Sequence, residues 1–135
     1  MDFIELGHEY SLGVPELDKQ HKELVIRLND AIKHCTGKRA DERKFYDKNT
    51  QKSIESMKKH FETEEKMLKK TKYDDLNKHK ADHKEMLAKL KKITNDIEKG
   101  RAELDLFYLT AFTKEMVLKH IRTFDMAAKN FFINM

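Results

Sequence analysis

Between Leu17 and Cys35 the apolar residues Leu17, Leu24, Val25, Leu28 and Ile32 recur at i, i+7, i+8, i+11 and i+15, with His21 at i+4 on the same stripe. That period predicts an amphipathic helix over 17–35, ended near Gly37. A second helix is predicted over 41–70, with Asp41 as its cap and Ile54, Met57, His60, Phe61, Glu64 and Leu68 on one face. A third over 76–99 turns Leu76, His79, His83, Leu87, Leu90, Thr94 and Ile97 inward and stops at Gly100. A fourth begins near Ala102 and reaches at least Ala128, with Leu109, Phe112, Met116, His120 and Thr123 inward. Residues 1–16 contain Gly7, Gly13 and Pro15 and read as an irregular N-terminal arm. Four long helices on short loops predict an all-α, antiparallel up-down-up-down four-helix bundle, with residues 1–135 forming one domain.

The inner faces are unusual in carrying histidine and carboxylate. His21 stands alone, His60 and Glu64 are spaced HxxxE, His79 and His83 are spaced HxxxH, and His120 and Asp125 are spaced HxxxxD. Residues four apart project from one helix face, about 6 Å apart along the axis. Any one such pair arises easily in a chain rich in lysine and glutamate. One element on every predicted helix, each facing inward, is a different matter, because five buried imidazoles and two buried carboxylates are costly unless something compensates them. That donor set suits two first-row metal ions better than one, and mixed nitrogen and oxygen ligation favours non-haem iron. His120 and Asp125 do not fit a regular helix, in which five residues separate side chains by about 140°. A π-bulge, or another departure from α geometry, is therefore predicted between Met116 and Ala128.

Composition narrows the setting. Of the 135 residues, 39% are charged and only one is proline, as expected for solvated helices. The net charge of +4 comes from lysines interspersed with acids and without interleaved aromatics, which argues against nucleic acid as a partner. No apolar run is long enough for a membrane span, and no signal peptide is legible. The single cysteine, Cys35, excludes an intrachain disulfide. The chain reads as cytoplasmic and, from its charged surface, as a monomer. His8 and His34 match no ligand position and are expected at the surface or at a helix end. The apolar tail Phe131-Phe132-Ile133 is expected to pack on the bundle or to meet a partner.

Asp18-Lys19-Gln20-His21, His60-Phe61-Glu62-Thr63-Glu64, His79-Lys80-Ala81-Asp82-His83 and His120-Ile121-Arg122-Thr123-Phe124-Asp125 together resemble the hemerythrins, above all the single-domain bacterial type. The likeness extends into the arm through Tyr10-Ser11-Leu12-Gly13-Val14. It departs at Leu6, where bacterial members commonly carry tryptophan; this chain has none. The resemblance implies two iron ions, Fe2+ or Fe3+, with an oxo or hydroxo bridge. One would be held by His79, His83 and His120 and the other by His21 and His60, with Glu64 and Asp125 bridging. Dioxygen would bind reversibly at the open position of the two-histidine iron. The function expected is oxygen storage, delivery or scavenging rather than enzymatic turnover, with side reactions toward peroxide or nitric oxide. The alternatives are a di-iron enzyme, acting as an oxidase or peroxidase or on nitric oxide, and an oxygen or redox sensor acting through a partner. Leu24, Phe61, Met116, Val117 and Ile121 are the candidate lining of a dry oxygen pocket.

Overall fold

The structure, a computed structural model, describes residues 1–7 and 10–133. Helix α1 spans Pro15–Lys33, α2 Arg39–Lys70, α3 Leu76–Glu98 and α4 Leu106–His120. A π-helical turn, Ile121–Asp125, continues α4, and a short α5, Lys129–Ile133, follows. Short connections reverse the chain between successive long helices. Each packs on its sequence neighbours, and α1 closes the ring against α4. This is the four-helix bundle read from the sequence, and the π turn lies inside the interval expected for it. None of these helices is long and apolar enough to cross a membrane.

Local chemistry explains most of the boundaries. Pro15 starts α1, where its missing N–H costs nothing. Helix α2 begins at Arg39, so Asp41 sits in its first turn rather than capping it; the cap residue, Lys38, makes no side-chain cap bond. Asp41 still places negative charge at the positive end of the helix dipole. Helix α4 begins at Leu106, four residues later than expected, because Asp105 accepts a hydrogen bond from the Tyr108 N–H at 2.9 Å. Between α2 and α3, Tyr73 N–H donates to Leu68 O, with Lys72 in the left-handed region at φ 57°. That is a Schellman closure, a position that favours glycine.

Two apolar clusters fill the bundle, one on each side of a polar layer. The larger gathers Leu24, Leu28, Met57, Met86, Leu90 and Val117 with their neighbours. The smaller holds Leu12, Leu17, Leu68, Ala128 and Phe132. Phe132, at 1% exposure, packs the tail onto the bundle, while Ile133 stays exposed. The arm is docked as well: Ile4 N–H donates to Asn29 Oδ1 at 2.7 Å, Leu12 N–H donates to Asp18 Oδ1 at 2.8 Å, and Leu6 packs on the larger cluster.

Two inward faces differ from expectation. On α3, Met86 is buried and Leu87 only half-buried. On α4 the buried face runs through Leu106, Leu109, Thr110, Val117 and His120, while Phe112 and Met116 sit at its edge. Thr123 is exposed, because the widened turn after His120 rotates Asp125 inward in its place.

Candidate metal centre

All seven side chains singled out by spacing lie in the polar layer. His21, His60, Glu64, His79, His83, His120 and Asp125 are each at most 3% exposed. Each long helix contributes: His21 from α1, His60 and Glu64 from α2, His79 and His83 from α3, and His120 from α4, with Asp125 carried in by the π turn. A π turn closes its hydrogen bonds to i+5, so the HxxxxD pair shares a face that a straight α-helix would deny it.

The donor atoms fall into two overlapping groups, within each of which they lie within 4.8 Å of one another. One comprises His79, His83, His120, Glu64 and Asp125; the other comprises His21, His60, Glu64 and Asp125. Both carboxylates belong to both groups. His79 Nε2 is 3.0 Å and His120 Nε2 2.9 Å from Asp125 Oδ1, His21 Nε2 is 3.1 Å from Asp125 Oδ2, and His60 Nε2 is 3.3 Å from Glu64 Oε2. The Nε2 atoms of His83 and His120 approach to 3.0 Å. Yet His21, His60 and His79 Nε2, Glu64 Oε2 and both Asp125 oxygens have no hydrogen-bond partner among the described residues. Buried donors this close together, yet without hydrogen bonds to one another, are left free to share another partner. A metal ion is what satisfies such a set, and these residues fit one.

Electrostatics agree. Burial alone would push the His21 imidazole down, but Asp125 and Glu64 beside it carry it up to about 9. His120 is pushed up to about 11, burial being outweighed by the charge of Asp125. His79 is raised through the same two carboxylates. Burial favours protonated Glu64, yet the charge of His60 and the other imidazoles hold it well below the usual carboxylate range. Asp125 is held at about 2 against both burial and the charge of Glu64, chiefly by His120. Two buried carboxylates thus demand positive charge in this layer, whether from protons or from metal.

The outer ring nitrogens reveal residues that spacing did not single out. His60 Nδ1–H donates to Gln20 Oε1 at 2.7 Å, His83 Nδ1–H to Glu65 Oε2 at 2.8 Å and His120 Nδ1–H to Asp82 Oδ2 at 2.5 Å. These bonds hold a proton on Nδ1 and turn Nε2 toward the centre, where a metal would take its lone pair in place of a second proton. Each partner adjoins one of the seven in sequence but serves a histidine on the next helix, so only the fold pairs them.

A cavity of about 70 Å³ begins one turn from the centre. Leu24, Met57 and Val117 line it, three residues from His21, His60 and His120, and Leu28, Leu90 and Leu109 continue it. Of the expected pocket residues, Leu24 and Val117 face this space and Phe61, Met116 and Ile121 do not. Phe61 instead stacks on His83, ring centroids 4.0 Å apart, and Ile121 is buried at 1% exposure. Met116 is displaced because Val117, 100° around the helix, takes the inner position. His34 ends α1, its Nδ1 2.8 Å from Asp30 O and its ring stacked on Phe45. His8 lies outside the described residues.

The family model for the hemerythrin HHE cation binding domain matches residues 12–128. The chain belongs to the hemerythrin family. A curated myohemerythrin from Sipunculus nudus is 32% identical over 113 residues, covering 84% of this chain and 80% of that one. A crystal structure of a hemerythrin point mutant matches with a TM-score of 0.82 at 25% identity, over 98% of both chains. A second mutant structure matches with the same figures. The hemerythrin match spans all seven candidate ligands.

Proposed function

We propose that this protein binds dioxygen reversibly at a di-iron centre, for storage, delivery or scavenging. His79, His83 and His120 would hold one iron and His21 and His60 the other, with Glu64 and Asp125 available to both. The observation that carries this reading is the division of seven buried side chains into two groups with the same two carboxylates in common. When bound, an iron pair supplies the two electrons that dioxygen takes up reversibly.

The chain's own residues do the rest. The second group has one imidazole fewer than the first, so a metal held there would have one more position to offer a small ligand. Five neutral imidazoles against two carboxylates favour the ferrous state more than a carboxylate-rich site does, which supports binding over oxidation. Gln20, Glu65 and Asp82 fix the ring orientations of His60, His83 and His120. Leu24, Met57 and Val117 keep the approach apolar, so few protons reach the centre through that wall.

The test is to load the protein anaerobically with ferrous iron, admit oxygen, follow the visible spectrum and then remove the oxygen. A charge-transfer band that appears and then vanishes, with one dioxygen taken up per two irons, is the expected result. Irreversible conversion to a diferric spectrum would overturn it in favour of a di-iron oxidase or a redox sensor.

A further inference from the structure

The two halves of the centre differ in what stands behind their histidines. In the three-histidine group, His83 and His120 each donate Nδ1–H to a carboxylate, Glu65 at 2.8 Å and Asp82 at 2.5 Å. In the two-histidine group, His60 donates to the neutral amide of Gln20 at 2.7 Å. The Gln20 amide is oriented by its own donation to Thr63 Oγ1, which in turn donates to Lys59 O. His21 and His79 Nδ1 have no partner among the described residues. Among the described residues, the outer ring nitrogens of one metal position therefore meet two anions and those of the other meet none. Glu65 and Asp82 are only partly exposed, at 26% and 24%, so solvent screens them incompletely.

An anion accepting from Nδ1–H makes the imidazole a stronger electron donor at Nε2, which favours the more highly charged ion. We infer that Glu65 and Asp82 are positioning residues that make the two irons electronically unequal, stabilising the ferric state at the three-histidine position. Gln20, neutral by design of the site, leaves the two-histidine position the more easily reduced. Reduction by one electron then gives Fe(II) at the two-histidine position and Fe(III) at the other, the electron coming from an added reductant. The iron with one more position to offer a ligand is thereby the one that best retains its electron. This inference rests on the di-iron reading above.

The experiment is a reductive titration of the two-iron protein with dithionite and mediators, followed by Mössbauer and electron paramagnetic resonance spectroscopy. It compares the native chain with Glu65→Gln, Asp82→Asn and Gln20→Glu. Removing either anion is expected to lower the ferric preference of one iron roughly tenfold, about 59 mV for a one-electron step. Gln20→Glu is expected to move the other step in the opposite direction and narrow the gap between the two. Because it adds a charge, loss of fold cannot imitate that result, and Asp82→Glu should restore the native potential. Unmoved potentials, or both steps moving equally in every variant, overturn the inference. Failure to take up two irons overturns it together with the di-iron reading. Shifted potentials without reversible oxygenation support it and overturn the oxygen-binding reading alone.

Discussion

At the scale of single residues, the centre is a concentration of charge that the fold would not tolerate uncompensated. His21 and His120 bind protons more tightly in the folded chain, at about 9 and about 11, than at their ordinary 6.5. Their contribution to the stability of metal-free protein is complete below about pH 6.5 and is lost as pH rises through 9 to 11. Asp125, lowered from 3.8 to about 2, contributes above 3.8 and loses that contribution as pH falls through 2. At pH 7 the metal-free centre therefore carries protons on imidazoles whose Nε2 a metal requires. Loading must displace them. Calorimetry in two buffers of different ionisation heat should show roughly two or more protons released per chain at pH 7, with affinity falling toward acid. Release of none would show that the imidazoles were already neutral.

At the scale of elements, spacing made the histidine-bearing faces legible because α1 and α2 follow a clean 3.6-residue period. The buried residues of α1 are Leu17, His21, Leu24, Val25, Leu28 and Ile32, the stripe read from sequence. The HxxxxD spacing likewise demanded a break in α4, and the turn at Ile121–Asp125 provides it. What spacing could not give was the rotation of α4. Its N-terminal half is apolar nearly all round, with Leu106, Phe107, Tyr108 and Leu109 in succession and Ala111 and Phe112 after Thr110, so periodicity does not choose a face. Packing against α1 and α3 chose Val117 over Met116. Gln20, Glu65 and Asp82 were hidden for a different reason: each supports a histidine on another helix, and such pairs exist only once the helices are registered.

The turn after α2 concentrates backbone strain at one residue. Lys72 takes φ 57° on an exposed side chain, in a conformation that costs a non-glycine residue roughly 1–2 kcal/mol. Glycine would remove that strain while losing more chain entropy on folding, so Lys72→Gly should stabilise the protein by up to about 1 kcal/mol. Urea denaturation of the metal-free protein measures this, and a loss of stability would show that the lysine side chain contributes to the turn.

At the scale of the whole molecule, the polar layer lies between two apolar clusters and is walled by both. The smaller is completed by the arm through Leu12 and by the tail through Phe132, so both ends of the described chain help to close one side of the centre. On the other side the wall is the lining of the 70 Å³ cavity. Val117, 3% exposed, is the lining residue nearest to His120 in sequence. Val117→Thr preserves its shape but adds a hydroxyl, at a cost of about 1–3 kcal/mol of stability if the group finds no partner. It should speed oxidation of the ferrous-loaded protein in air several-fold, measured as the rate of diferric absorbance growth. An unchanged rate would remove Val117 from the dry wall.

The expectations for iron and oxygen depend on seven side chains holding two metal ions in two unequal groups. The most direct measurement is an anomalous difference map, collected at the iron edge, from crystals of the iron-loaded protein. The predicted result is two peaks inside the bundle, one beside His79, His83 and His120 and one beside His21 and His60, with Glu64 and Asp125 touching both. A single peak, or two that do not share those carboxylates, would contradict it.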